Sequence, residues 1–279
     1  MAAVSMQHGW RARLELAFEP RTLPTGARTV LAHRRHCGPL LVQRPFYPEG
    51  PVCHVVLVHP PGGMVGGDAL ELEVDCAPRA DVLMTTPGAT KCYRSNGPGV
   101  VVTQHLQVRR DAALEWLPQE LIVFEGGALD TVTRVDLEPG ARFLGWEILC
   151  LGRPAADERF AAGSIAQRFQ VHRGERPLLM ERLQATGGGG VLHGPWGLHG
   201  HAVSATLVAL PADASLRDQV RRCAVDEPGF TASLLDEVLV CRYLGESTAR
   251  ARRCLERAWA IIRPAVLGRA ARQPRIWRT

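Results

Sequence analysis

"LEVDCAPRADVLM" (72–84), "QHLQVRRDAALEW" (104–116) and "TRVDLEPGARFLG" (133–145) decide the fold. Each runs strand, polar turn, alanine, strand, and Ala80, Ala112 and Ala141 superpose at intervals of 32 and 29 residues. With the alanines aligned, apolar positions coincide: Val74, Leu106 and Val135 before the turn, Val82, Leu114 and Phe143 after it. A repeat of this length predicts stacked β-layers, each burying its apolar face against the next. Neighbouring stretches agree. "CHVVLVH", "ALELEVDC", "GVVVTQHLQVR", "DTVTRVDLE" and "ARFLGWEIL" are β-branched, alternating or continuously apolar, and bounded by Gly and Pro.

Beyond about residue 210 the period changes. "SLRDQVRRCAV" opens on Ser215 with Asp218 three residues on, like a capping box, and sets Leu216, Val220 and Cys223 on one face. "STARARRCLERAWAIIRP" opens on Ser247 and stripes Ala251, Leu255, Trp259 and Ile262, with Pro264 as the expected stop. The expectation is a mainly β chain: one domain over 1–279, stacked strands over 1–210, then two helices near 215–224 and 247–263. "DEVLVCRYLG" (236–245) reads as a strand between the helices, and the helices would cover an open edge or face of the stack.

Composition narrows the function. The chain has 279 residues, 46% hydrophobic and 22% charged, enough for a substantial core and with no apolar run long enough to span a bilayer. The first twenty residues lack the apolar centre of a secretory signal, which favours the cytoplasm. The net charge of +5 is carried by dispersed arginines, Lys91 being the sole lysine, without a nucleic-acid-recognition pattern. The eight cysteines form no C-x₂₋₄-C pair, and several lie inside apolar runs, where they behave as small buried hydrophobes.

"HPPGGMVGGD" (59–68) is the densest glycine run with an acid. It is no phosphate loop, because Asp68 and Ala69 stand where Lys and Ser/Thr would be needed, and an alternating strand follows instead of a helix. Gly66 and Gly67 are expected in conformations closed to residues with a Cβ, positioning Asp68. In "GGGGVLHGPWGLHGHAV", His193, His199 and His201 offer imidazoles, but the glycine content reads as a solvated, mobile loop.

The chain resembles the UreD (UreH) family of urease accessory proteins. The matching stretches are "VQRPFYPE" (42–49), "HPPGGMVGGD" (59–68), "TTPGATKCYRS" (85–95), "LEWLPQE" (114–120), "LGWEILCLGRP" (144–154), "LLMERL" (178–183), "CRYLG" (241–245) and "PRIWRT" (274–279). They stand in the family's order along nearly the whole chain. Cys92 departs from the pattern, which usually has an aromatic residue there. The resemblance implies a non-enzymatic scaffold that joins UreF and the GTPase UreG, docks on apo-urease and helps deliver nickel to its dinuclear site. It also implies a helical stack of strands with two helices, and nickel in transit through a passage with no permanently bound cofactor.

A passage needs donors that hold the ion weakly and in turn. Acids inside apolar motifs suit that role, since burying an unpaired carboxylate is costly. Asp68, Glu181 in "LLMERL" and Glu147 in "LGWEILC" are therefore the candidate nickel-passage residues; for each the competing use is a bond to arginine or to backbone N–H groups. The alternative function is a carboxylate-based hydrolase or lyase on the same stack, for which Glu115 and Glu120 are the only dense acid pair. A nickel-storage protein would need His-rich or Cys-rich tracts, which the chain lacks.

Overall fold

A computed structural model describes residues 9–24 and 26–278. Residues 1–8, part of the stretch read for a signal, and Thr279 of "PRIWRT" lie outside them.

The repeat builds the stack. Strands Ala69–Cys76, Val100–Val108, Ala128–Leu137 and Ser164–Arg173 lie parallel in one sheet, with Arg11–Leu23 parallel on the other side of Ala69–Cys76. Cys53–Val58, Asp81–Thr85, Ala113–Leu117 and Arg142–Leu151 lie parallel in a second sheet. The register is the one the aligned alanines require: Val74 pairs with Leu106 and Leu106 with Val135; Val82 pairs with Leu114 and Leu114 with Phe143. The corner recurs too. Ala80, Ala112 and Ala141 each donate N–H to the residue three back, and each follows a left-handed residue, Arg79, Asp111 or Gly140. All three alanines are buried, so a larger side chain has no room at the corner.

Side chains from the two facing sheets fill one core, which includes the paired positions above together with Leu16, Cys53, Val171 and Leu210. Short strands Thr90–Cys92 and Leu121–Val123 continue the coils. Each end of the first sheet closes with an antiparallel partner, Gly26–Cys37 at one edge and Arg176–Thr186 at the other. The second sheet extends antiparallel through Val203–Leu210, Val238–Gly245 and Phe230–Leu235. The expected strand at 236–245 is thus half of a hairpin.

Helices α1 (Gly190–His193), α2 (Ala214–Cys223) and α3 (Thr248–Leu267) complete the fold. The expected stripe of α3 is buried: Leu255, Trp259 and Ile262 cover the outer face of the second sheet against Leu144, Trp146 and Ala209. Each such side chain contributes about 1.5–3 kcal/mol. Two boundaries differ from the reading. Asp213, two residues before Ser215, caps α2 by accepting the Leu216 N–H at 2.8 Å. Pro264 lies inside α3, which runs one further turn because Val266 and Leu267 are buried, and stops at left-handed Gly268. The glycine-rich stretch is compact instead of open: α1 and the turns after it bury Leu192 and Leu198. No helix among the described residues is long and apolar enough to cross a membrane.

Candidate functional site

Inside the stack, two rows of inward positions turn polar. In the first sheet one row runs Leu72, Gln104, Thr133, Phe169, Glu181. In the second, Glu147 pairs with Thr206 and Thr206 with Arg242. Glu147 shares the inward face with Phe143, and Arg242 shares it with Val238 and Val240. Polar groups turned into a core need partners, and most of these have them. Thr133 meets Glu147 Oε1, the Gln167 amide donates to Glu147 Oε2 at 2.7 Å, and Arg242 ion-pairs with Glu181.

The polar rows line space. A cavity of about 280 Å³ lies between the sheets, lined by His59, Gly63 and Met64, by Glu147 and Gln167, and by the exposed Pro87 and Gly88. A second cavity of about 170 Å³ begins at the same Glu147 and Gln167 and leads past Thr206 to Glu181, Arg242 and the exposed Arg182. Glu147 and Gln167 line both, so the two cavities adjoin at these side chains and, with them as the divide, make a candidate path.

Glu147 keeps some accessible surface and lines both cavities. Desolvation by the surrounding protein raises its carboxyl above the usual carboxylate range, opposed by the bonds from Thr133 and Gln167. The hydrogen bonds agree. Thr133 Oγ1 lies within bonding distance of both Glu147 and Gln104 Oε1, yet a hydroxyl carries one proton. A protonated Glu147 that donates to Thr133, which then donates to Gln104, satisfies that count, as does a Gln104 amide turned to donate to Thr133. Burial lowers the pKa of His59, beside the first cavity, against the opposing pull of Asp68, and its Nδ1 has no partner among the described residues.

Of the three acids singled out from sequence, Glu147 and Glu181 lie on this path and Asp68 does not. Asp68 is buried and accepts the backbone N–H groups of Trp10 at 2.8 Å and Val65 at 2.9 Å, the backbone use foreseen for it. The glycine run divides accordingly. Its first half borders the cavity; its second half locks the chain. Gly67 is left-handed at φ +93°, and a Cβ on Gly66 would meet Ser95 Oγ at 2.1 Å.

His193 and His199 are exposed and His201 pairs with Glu246 at 2.6 Å; among the described residues no three His, Cys, Asp or Glu side chains gather to hold an ion. The acids of "LEWLPQE" are committed to α3. Glu115, fully buried, receives Arg263 and the Trp259 indole at 2.9 Å, and Glu120 pairs with Arg252. They converge on no open groove. Arg263 also reaches Glu49, whose carboxyl burial would raise but whose bonds from Arg263 and His54 hold down at about 2. The buried thiols behave as hydrophobes, burial pushing that of Cys150 up to about 12.

Sequence reasoning missed Thr133, Gln167, Thr206, Arg242 and His59. A signal existed for four of them, since Gln167 and Thr206 stand two residues before the inward Phe169 and Val208. Thr133 likewise lies two residues before the inward Val135, and Arg242 two after the inward Val240, so strand parity placed all four inside.

Comparison with known proteins places this chain. The model of a family described as UreD urease accessory protein matches residues 10–278. A urease accessory protein UreD of Azoarcus sp. is 47% identical over 276 residues, covering 98% of this chain and 95% of its own. Those of Pseudomonas entomophila and Alcanivorax borkumensis are 46% and 43% identical, covering 97% and 99% of this chain and 95% of their own.

Proposed function

From the premise that this chain belongs to the UreD family of urease accessory proteins, which mature urease and are not enzymes, we propose that it is the scaffold through which nickel passes to apo-urease. In this reading it acts in the cytoplasm, joined to UreF and, through the complex, to the GTPase UreG. The observation that carries the reading is the shared position of Glu147 and Gln167 between two cavities that together run from Pro87 and Gly88 to Arg182.

The chemistry suits a divalent cation that must move on. Nickel accepts oxygen and nitrogen donors, and the path offers them singly: His59 beside the first cavity, Glu147 at the shared wall, Glu181 in the second. Glu147 releases a proton as the ion arrives and takes one back when it leaves, so its carboxylate is charged only while a cation stands beside it.

The test compares nickel per urease active site with the yield of the accessory complex on tagged apo-urease. Glu147→Gln keeps shape and hydrogen bonding but cannot ligate as a carboxylate; it is expected to leave the yield intact and lower the nickel content, with partial rescue by excess nickel. Asp68→Ala strands the Trp10 and Val65 N–H groups at about 1–3 kcal/mol each, so yield and nickel should fall together. Fully loaded urease from Glu147→Gln would remove the passage from the account.

A further inference from the structure

The path holds one carboxylate that is already taken. Glu181 lies in the second cavity bound to Arg242, and Arg242 is an arginine at an inward position of a strand whose other inward residues, Val238 and Val240, are apolar. Both side chains keep partial exposure, 39% for Arg242 and 30% for Glu181, so the pair is loose enough to open. The other arginine of the second cavity, Arg182, is turned to the exposed face, where it bonds Gln184. Arg242 is thus the cation that faces any ion leaving Glu147, one strand beyond Thr206 in the same row.

We propose that Arg242 is a built-in competitor that keeps the passage from trapping its cargo: its guanidinium occupies Glu181 between deliveries, swings off when a divalent cation arrives, and displaces the ion when it returns. This rests on the passage reading above and adds the means of release. An unpaired Glu181 beside the oxygens of Ser204 and Thr206 would be a place for nickel to stay. A resident guanidinium cancels the charge of the carboxylate and repels the ion, which turns a binding site into a stepping stone. The pair also leaves the resting second cavity without net charge from its facing acid and base.

The experiment is equilibrium dialysis of the full chain, purified with its UreF partner, against Ni²⁺ alone. Wild type is expected to bind weakly. Arg242→Gln, which keeps a hydrogen-bonding amide and loses the charge, is expected to bind one further Ni²⁺ per chain roughly tenfold tighter or more, because a like charge has left the site. Arg242→Gln with Glu181→Gln should return to the wild-type level, which also subtracts any ion held by surface histidines. Arg242→Lys keeps the charge and should stay weak, giving a folded comparison if the Gln variant melts early. Binding by Arg242→Gln no tighter than wild type, or tight binding that survives the added Glu181→Gln, overturns the proposal. Nickel per urease site, measured on the same preparations beside Glu147→Gln, separates the two readings. If Glu147→Gln lowers nickel delivery while Arg242→Gln binds no tighter, the competitor fails and the passage stands. Normal delivery by Glu147→Gln removes the passage, and the competitor with it.

Discussion

Glu147 stands on a face otherwise built from Phe143, Gly145 and Leu149, and the cost of that choice can be read as a pH dependence. Its folded carboxyl titrates above the unfolded one because burial disfavours the charge. The folded state therefore keeps a proton that the unfolded chain releases above about pH 4, and the stability associated with this residue falls as pH rises from there through the raised value. Glu147→Gln has no charge to desolvate. Thermal melts of both proteins from about pH 4 to pH 8 should coincide at the acid end and separate upward, the variant melting higher. For a chain of this size about 1 kcal/mol corresponds to roughly 2–4 °C. A separation that stays constant with pH would mean that the buried carboxyl is already charged. Asp68 is held differently, each of its two oxygens accepting one backbone N–H, and the motif-based reasoning that flagged both acids could not tell them apart. What distinguishes them is which way each side chain faces, and the glycine run before Asp68 has no strand period from which to read that.

Helix α3 shows how much of an element its own sequence declares. Its apolar stripe was legible because helical spacing is local, and so was Ser247, which caps the helix by accepting the Arg250 N–H at 3.3 Å. The last turn was not legible. Pro264 signals a stop, but Arg263 beside it is fully buried and bound to Glu115, 148 residues earlier in the chain, and to Glu49. Long-range pairing overrides a local stop, and no window of sequence contains both partners. The energetic consequence is testable. Arg263→Met breaks a buried ion pair and leaves Glu115, without accessible surface, the Trp259 indole and the Arg269 guanidinium at 3.9 Å as its partners, at a cost of about 3–5 kcal/mol. Adding Glu115→Gln removes the stranded charge and should recover a large part of that loss, seen as the denaturation midpoint in a double-mutant cycle. Equal losses in the single and double variants would show that packing of the arginine stem, and not the ion pair, holds the helix.

The stack as a whole was legible because its period is short and its corners repeat; the path through it was not, because its walls are assembled from rows that join residues such as Glu147, Glu181 and Arg242 only after the sheets have formed. The same architecture leaves surfaces that need covering. Among the described residues, Gly26–Cys37, Arg176–Thr186 and Phe230–Leu235 each pair with a strand on one side only, with single outer bonds from the Thr29 N–H to Pro51 and from Arg221 to the Ala232 carbonyl. Met180, on the second of these, is 57% exposed, and Trp10, Val65 and Val101 are exposed around the backbone knot of Asp68. Unpaired strand edges recruit other chains, and clustered apolar side chains favour association. A scaffold that acts only within a complex leaves such surfaces to its partners. Produced alone, the protein is therefore expected to collect largely in the insoluble fraction, and coexpression with UreF to move it into the soluble one as a defined complex. The measurement is the soluble share of each preparation together with its elution volume in size exclusion. If the lone chain is soluble and monodisperse and coexpression adds nothing, the edges are already protected by their own twist and charge, and the partner must dock on polar surface instead.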